Sequence, residues 1–161
     1  MNLKKEEKFE VKNSDITFDE IVNAAPREIA NDIKNATVII LPSHGTNDAF
    51  YSGTLDILDF LKENGIDADV LSTDDEYKEI NLHGDAIWLG TFIITSVAIP
   101  IFCNVISSYI YDKIKAKSDD DISLKFIAEK KNKRTLSITF EGKVDNLEKA
   151  LKSIKELTDG D

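Results

Sequence analysis

The longest hydrophobic stretch of the chain covers residues 87–111, IWLGTFIITSVAIPIFCNVISSYIY, and contains no charged side chain. Its length of about 25 residues exceeds the roughly 20 residues that a helix needs to cross the hydrocarbon core of a bilayer. Drawn as a helix, the stretch is apolar over most of its surface and polar along one narrow seam. The seam consists of Ser96, Pro100, Asn104, Ser107 and Ser108. The pattern predicts one long hydrophobic helix over residues 87–117.

Three environments are compatible with such a helix. A single membrane anchor would tolerate the seam, whereas an assembly of membrane helices would pack the seam residues together or turn them toward a water-filled lumen. A folded domain would instead bury the apolar arc and leave the seam at its surface. Trp88 near one end, with Tyr109 and Tyr111 near the other, resembles the aromatic belts of membrane helices and favours the bilayer. Pro100 predicts a kink, because proline lacks a backbone N–H.

Before this stretch, the pattern predicts a helical region over residues 1–35 and a small parallel α/β unit over residues 36–86. The first 14 residues are strongly charged and predict a frayed terminus, after which Asp15 or Thr17 is the candidate cap of a helix. Helix and strand in alternation are typical of a parallel sheet. The predicted strands are residues 36–41, 67–71 and 85–89, and a helix between the first two ends at Gly65.

After the hydrophobic stretch, residues 118–161 predict a ββα unit. Apolar residues alternate with polar ones in two runs joined by a basic turn, which is typical of a hairpin with one buried face. The alternating apolar residues are Ile122, Leu124 and Phe126, followed by Leu136, Ile138 and Phe140. A unit of about 40 residues rarely buries enough surface to fold alone, so it must pack on the rest of the chain. The predicted fold class is therefore α/β, with the α/β unit, the long helix and the ββα unit in chain order.

Composition narrows the classes of function. The 161 residues carry a formal net charge of −10, which argues against nucleic acid as a partner because phosphate neutralisation requires clustered Lys and Arg. The single cysteine, Cys103, excludes an intrachain disulfide framework, and two histidines are too few for a Cys/His metal cluster. We therefore predict no metal site and no cofactor.

One loop carries candidate chemistry. It follows the first predicted strand, at the carboxyl end where open α/β sheets bind ligands. Its candidate ligand-binding residues are Ser43, His44, Thr46, Asn47 and Asp48, with His83 and Asp85 as neighbours only in some strand orders. Such side chains could hold a phosphate or a small metabolite, and His44 could act as a general base. The same residue types also form ordinary turns, and the loop lacks a glycine-rich phosphate fingerprint. We therefore predict a ligand site without catalytic residues.

From Trp88 onward, a hydrophobic helix ends in the charged stretch YIYDK and is followed by a β-hairpin and a closing helix. This order of parts resembles the small bacterial conflict-system proteins called effector-associated constant components. The resemblance covers residues 88–157 and rests on arrangement, since no invariant motif is shared. It implies a supporting or membrane-acting role in bacterial antiviral immunity, and it carries over no catalytic residue.

Together these features predict a non-enzymatic, membrane-associated component or effector of a bacterial antiviral system. It would reside in the inner membrane, contact the lipid bilayer, and associate with itself through the seam or with a partner protein from the same operon. The alternative is a soluble, cytoplasmic α/β protein that binds a ligand or regulates a partner. In that alternative the hydrophobic helix lies in the protein core.

Overall fold

The computed structural model describes residues 7–81, 84 and 86–159. Six strands form one mixed sheet in the order β1-β8-β7-β6-β2-β4, and two short strands, β3 and β5, form a separate parallel pair. The strands are β1 Lys8–Ser14, β2 Val38–Leu41, β3 Phe50–Tyr51, β4 Ala68–Val70, β5 Glu79–Ile80, β6 Ile87–Ile94, β7 Asp121–Glu129 and β8 Thr135–Lys143. The helices are α1 Phe18–Ala24, α2 Ala30–Asn35, α3 Thr54–Glu63, α4 Ile99–Ser108 and α5 Val144–Asp159.

The hydrophobic stretch is not one helix, so the prediction of a helix over residues 87–117 is wrong. Its first part is strand β6, which pairs with β2 on one side and with β7 on the other. The chain then passes through a short 3₁₀ turn, Ser96–Ala98, into α4 and a π-helical turn, Tyr109–Lys113. The ten residues of α4 rise about 15 Å, which is half of a bilayer core. Among the described residues, no helix combines the length and apolarity needed to cross a membrane.

Helix α4 is amphipathic and unkinked at its proline. Pro100 lies in its first turn, where the backbone N–H of any residue would lack an intrahelical partner, so the predicted kink is wrong. Phe102, Val105 and Ile106 are buried, whereas the neighbouring Ile101 is 52% exposed. The helix therefore covers the sheet with one face only.

Two strands and a helix of the predicted α/β unit are confirmed as β2, β4 and α3. Gly65 follows α3 with φ +83°, a left-handed conformation that favours glycine at the end of a helix. Strands β2 and β4 are parallel, as predicted, but β6 runs antiparallel to β2. The alternation predicted β2, α3 and β4, but it gave neither the length nor the direction of the third strand, which was predicted at residues 85–89 and is observed as β6, Ile87–Ile94.

Residues Lys8–Ser14 form strand β1, so the predicted frayed terminus is wrong for these seven residues. All seven pair with β8, because Phe9 and Val11 alternate with charged side chains that an edge strand tolerates. Thr17 caps α1 as expected, since its side chain accepts a hydrogen bond from the N–H of Glu20 at 3.2 Å. Pro26 lies between α1 and α2.

The ββα unit is confirmed as β7, β8 and α5, and β7 joins it to the rest of the sheet through β6. Helices α3, α4 and α5 cover one face of that sheet and bury the larger core around Phe92, Phe102 and Phe126. Helices α1 and α2 cover only part of the opposite face, where Phe18 and Ile33 pack near Ile39, Ile93 and Ile127. The remainder of that second face is polar, and the candidate site lies on this polar part.

Candidate functional site

The polar part of the second face is built by β1, β7 and β8. Because Ile122 and Leu124 of β7 point into the larger core, Ser123 and Lys125 point to the opposite face. Ser123 is paired with Glu141 of β8, which is paired in turn with Lys8 of β1. These cross-strand neighbours place a hydroxyl and charges of both signs side by side.

His44 lies over this face and connects two strands. Its Nδ1 is 3.1 Å from the hydroxyl oxygen of Thr91 on β6, and its Nε2 is 3.0 Å from the hydroxyl oxygen of Ser123 on β7. The backbone N–H of His44 also donates to the Thr91 oxygen, at 3.0 Å. A hydroxyl can donate one hydrogen bond and accept two, so the neutral imidazole can donate to one of these hydroxyls and accept from the other. Both hydroxyl residues are buried, and the imidazole ring is a polar partner of each.

Aromatic rings enclose His44. Tyr51 approaches it edge-on with ring centroids 5.2 Å apart, and its hydroxyl donates to the His44 carbonyl oxygen. Trp88 lies 6.1 Å from His44 and 5.6 Å from Tyr51 between ring centroids. The pairing of β6 with β7 is irregular between Trp88 and Gly90, and Gly90 adopts φ +129°, which side-chain-bearing residues rarely reach. This irregularity positions Trp88 beside the histidine.

A cavity of about 200 Å³ opens next to these rings, at the start of β6 and β7 and the end of β8. It is lined by Ala86, Trp88, Asp121, Ile122, Ser123, Glu141 and Gly142. The Asp121 carboxylate is 3.2 Å from the Lys143 ammonium nitrogen. Within the described part of the chain, the Glu141 carboxylate forms no hydrogen bond or ion pair. The cavity thus offers an indole ring, a hydroxyl and a carboxylate that has no ion-pair partner among the described residues.

Burial controls the ionisation of this site. It lowers the pKa of His44, and the positive charges of Lys125 and Lys8 lower it further. The negative charge of Glu141 acts in the opposite direction but is outweighed, so the ring is neutral at neutral pH. Burial, supported by Glu141, raises the pKa of Tyr51 to about 12, which keeps its hydroxyl protonated as a donor. The site therefore combines neutral hydrogen-bonding groups with charged side chains of both signs.

The lowered pKa of His44 predicts a pH-dependent stability. The unfolded chain takes up the proton at a pKa of about 6.5, before the folded protein does, so the stabilisation is complete above that pH and is lost as the pH falls below it. We expect the free energy of unfolding of the wild type to fall more steeply than that of His44→Gln between about pH 7 and pH 5.5. Urea unfolding at several pH values measures both, and parallel profiles would contradict this assignment.

Of the five loop residues predicted to bind a ligand, the structure places only His44 beside the cavity. Ser43 is buried, and its hydroxyl oxygen accepts the N–H of Tyr51 at 3.0 Å. The Thr46 hydroxyl lies 2.8 Å from the carbonyl oxygens of both Ser43 and Ala49, so it holds the turn together.

The last two loop residues do not line the cavity. Asn47 and Asp48 are exposed, and Asp48 forms an ion pair with Lys78 at 2.8 Å. The suggested neighbours His83 and Asp85 lie outside the described residues.

The predicted seam lies on and beside α4, far from the cavity residues in the sheet. The Ser96 N–H donates to the buried Glu129 carboxylate at 3.3 Å, Pro100 is exposed, and the Asn104 side chain accepts from Lys155 at 2.9 Å. Ser107 and Ser108 are half-buried. The seam therefore borders α5 and solvent, the placement expected when a folded domain buries the apolar arc.

Sequence reasoning missed Trp88, Ser123 and Glu141 as site residues. Trp88 was read as a membrane-interface residue, and the other two occupy the polar positions of strands whose apolar alternation alone was informative. The only signal in the sequence was that polar residues alternate with apolar ones in these strands. This alternation is the same whether the polar face lines a cavity or contacts solvent.

The chain has no match among protein-family models, curated proteins or solved structures. The resemblance to effector-associated constant components therefore stays a prediction from the order of elements. Among the residues that the structure describes, no group of three or more His, Cys, Asp or Glu side chains is arranged to hold a metal ion.

Proposed function

We propose that this protein is an α/β ligand-binding module that takes up a small organic cation, an amine or a guanidine, in the cavity between Trp88 and Glu141. The observation that carries the proposal is the Glu141 carboxylate, which forms no hydrogen bond or ion pair with the described residues and lines a cavity that also presents an indole ring and the Ser123 hydroxyl. None of the seven described residues that line the cavity is basic.

The lining supplies the two interactions that recognise an organic cation. An indole face attracts a cation through its quadrupole, most strongly where water is excluded. A carboxylate adds a charge-assisted hydrogen bond to an ammonium or guanidinium N–H. Phosphates and carboxylates are disfavoured, because their negative charge would lie beside the Glu141 carboxylate.

The size of the cavity limits the ligand. Its volume of about 200 Å³ is below the roughly 300–1,000 Å³ of sites for drug-sized molecules. A head group with a short chain fits this space, whereas a nucleotide does not. The His44 side chain does not line the cavity, but its contact with the Ser123 hydroxyl holds that lining residue in place.

A ligand at this position would contact β6, β7 and β8. This proposal takes up the cytoplasmic alternative, because the residues expected to enter a bilayer form the central strand and a core-covering helix. A place in a bacterial conflict system remains an expectation that rests on the order of elements alone.

Isothermal titration calorimetry with methylammonium, guanidinium, putrescine and agmatine tests the proposal. We expect at least one of them to bind the wild type, and we expect Glu141→Gln to weaken that binding by about 10- to 100-fold, since the variant keeps the shape but loses the charge. The matched control is Glu63→Gln at the exposed end of α3, which should leave the affinity unchanged. The proposal fails if no compound binds at millimolar concentration, or if both variants bind like the wild type.

A further inference from the structure

Strand β1 presents a sheet edge with an unusual pattern of side chains. All seven of its residues pair with β8, and no described strand pairs with its other edge. On the face shared with α5, Phe9 is 44% exposed and Val11 is 37% exposed. On the opposite face, Lys8, Glu10 and Lys12 alternate in charge along the strand.

We propose that this edge is the interface of a homodimer, in which two copies of β1 pair antiparallel about a two-fold axis at Val11. The two six-stranded sheets would then form one continuous sheet, with α5 of both copies on the same side. This interface is independent of the ligand cavity and of the proposed function.

The charges select the register. Val11 is the midpoint of Lys8–Ser14, so a pair centred there engages the whole strand and places Glu10 opposite Lys12 twice. A pair centred on Glu10 would instead place Glu10 opposite itself and Lys8 opposite Lys12. Opposite charges across an antiparallel pair stabilise it and like charges destabilise it. The strand is thus complementary to itself in the register that uses its full length.

The ion pairs inside one chain do not compete strongly with this arrangement. Glu10 lies 3.4 Å from the Lys12 ammonium and 3.9 Å from that of Lys8, and the side chains of all three are more than 40% exposed. Exposed pairs of this kind contribute little, so exchanging them for pairs across the interface costs little. The exchange also covers the exposed apolar surface of Phe9 and Val11.

The size of the contact indicates a weak dimer. One strand pair of seven residues, with the side chains around it, buries less than the roughly 1,200 Å² of a standard stable interface. We therefore expect association in the micromolar range, with monomer prevailing in dilute solution.

Sedimentation velocity from about 1 µM to 1 mM, bracketing the micromolar range in which a contact of this size should associate, tests the proposal. We expect the wild type to dimerise and Glu10→Lys to weaken the dimer about tenfold or more, because Lys would then face Lys12 at two places. The double variant Glu10→Lys/Lys12→Glu restores opposite charges and should restore the dimer. The matched control Glu28→Lys makes the same change at an exposed position between α1 and α2 and should dimerise like the wild type.

Three results would overturn the interface. They are a wild type that stays monomeric at the highest concentration, a Glu10→Lys variant that dimerises normally, and a charge-swapped double variant that fails to regain the dimer. Circular dichroism of each variant verifies that β1 has not unfolded the domain.

Discussion

Replacing Phe102 with alanine is expected to lower the free energy of unfolding by about 3–5 kcal/mol. The side chain is fully buried, and its ring lies 5.3 Å from both Phe92 and Phe126, measured between centroids. Its removal leaves a cavity among three elements, because strands β6 and β7 are held by their hydrogen bonds and cannot collapse into the space. Urea unfolding followed by circular dichroism measures the loss.

The adjacent residue provides the control. Ile101 is 52% exposed, so Ile101→Ala should cost less than about 1 kcal/mol although it removes a large apolar side chain from the same helix. If α4 were surrounded by lipid, neighbouring apolar residues would share the same environment. Similar losses for both variants would therefore contradict the one-sided packing of α4.

Replacing His44 with alanine is expected to cost about 2–3 kcal/mol, because it leaves the buried Ser123 hydroxyl without its imidazole partner and removes ring contacts with Tyr51 and Trp88. The Thr91 hydroxyl oxygen still accepts a hydrogen bond from the backbone N–H of residue 44, so Thr91 contributes less to the loss of stability than Ser123 does. The free energy of unfolding at neutral pH measures the effect.

A double-mutant cycle isolates the contact between His44 and Ser123. The single variants His44→Ala and Ser123→Ala should each destabilise the protein, and the double variant should cost less than their sum by about 0.5–3 kcal/mol, the range found for residues in contact. Strictly additive losses would show that the 3.0 Å contact contributes nothing. His44→Gln is the milder comparison, since an amide can donate to one hydroxyl and accept from the other.

The hydrophobic stretch misleads because two different elements of similar composition follow each other without a polar break. From Leu89 to Ile94 strand β6 is buried on both faces of the sheet, so no alternation of apolar and polar residues marks it as a strand. Helix α4 follows after one short turn and needs apolar residues to cover the larger core. Hydropathy averages over both elements and reproduces the length of a membrane helix.

What this sequence determined by itself is the local structure of segments that have one buried and one exposed face. Alternation predicted β7 and β8, and helical spacing predicted α3 and α5, because each pattern repeats within a few residues. The fully buried strand β2 was predicted instead from its run of β-branched residues. The loop containing His44 was also recognised, since turn residues follow the β2 strand directly.

Only the tertiary structure decided the order of the strands, the division of residues 87–117 into strand and helix, and the partners of His44. These depend on contacts between distant residues, such as His44 and Ser123, which are 79 positions apart in the chain. The free energy of such contacts comes from burial and pairing that exist only once the sheet has formed. The local pattern of apolar and polar residues depends only on residues that are close in the sequence, so it does not report such contacts. The cavity at Trp88 and Glu141 could therefore be found only in the folded chain.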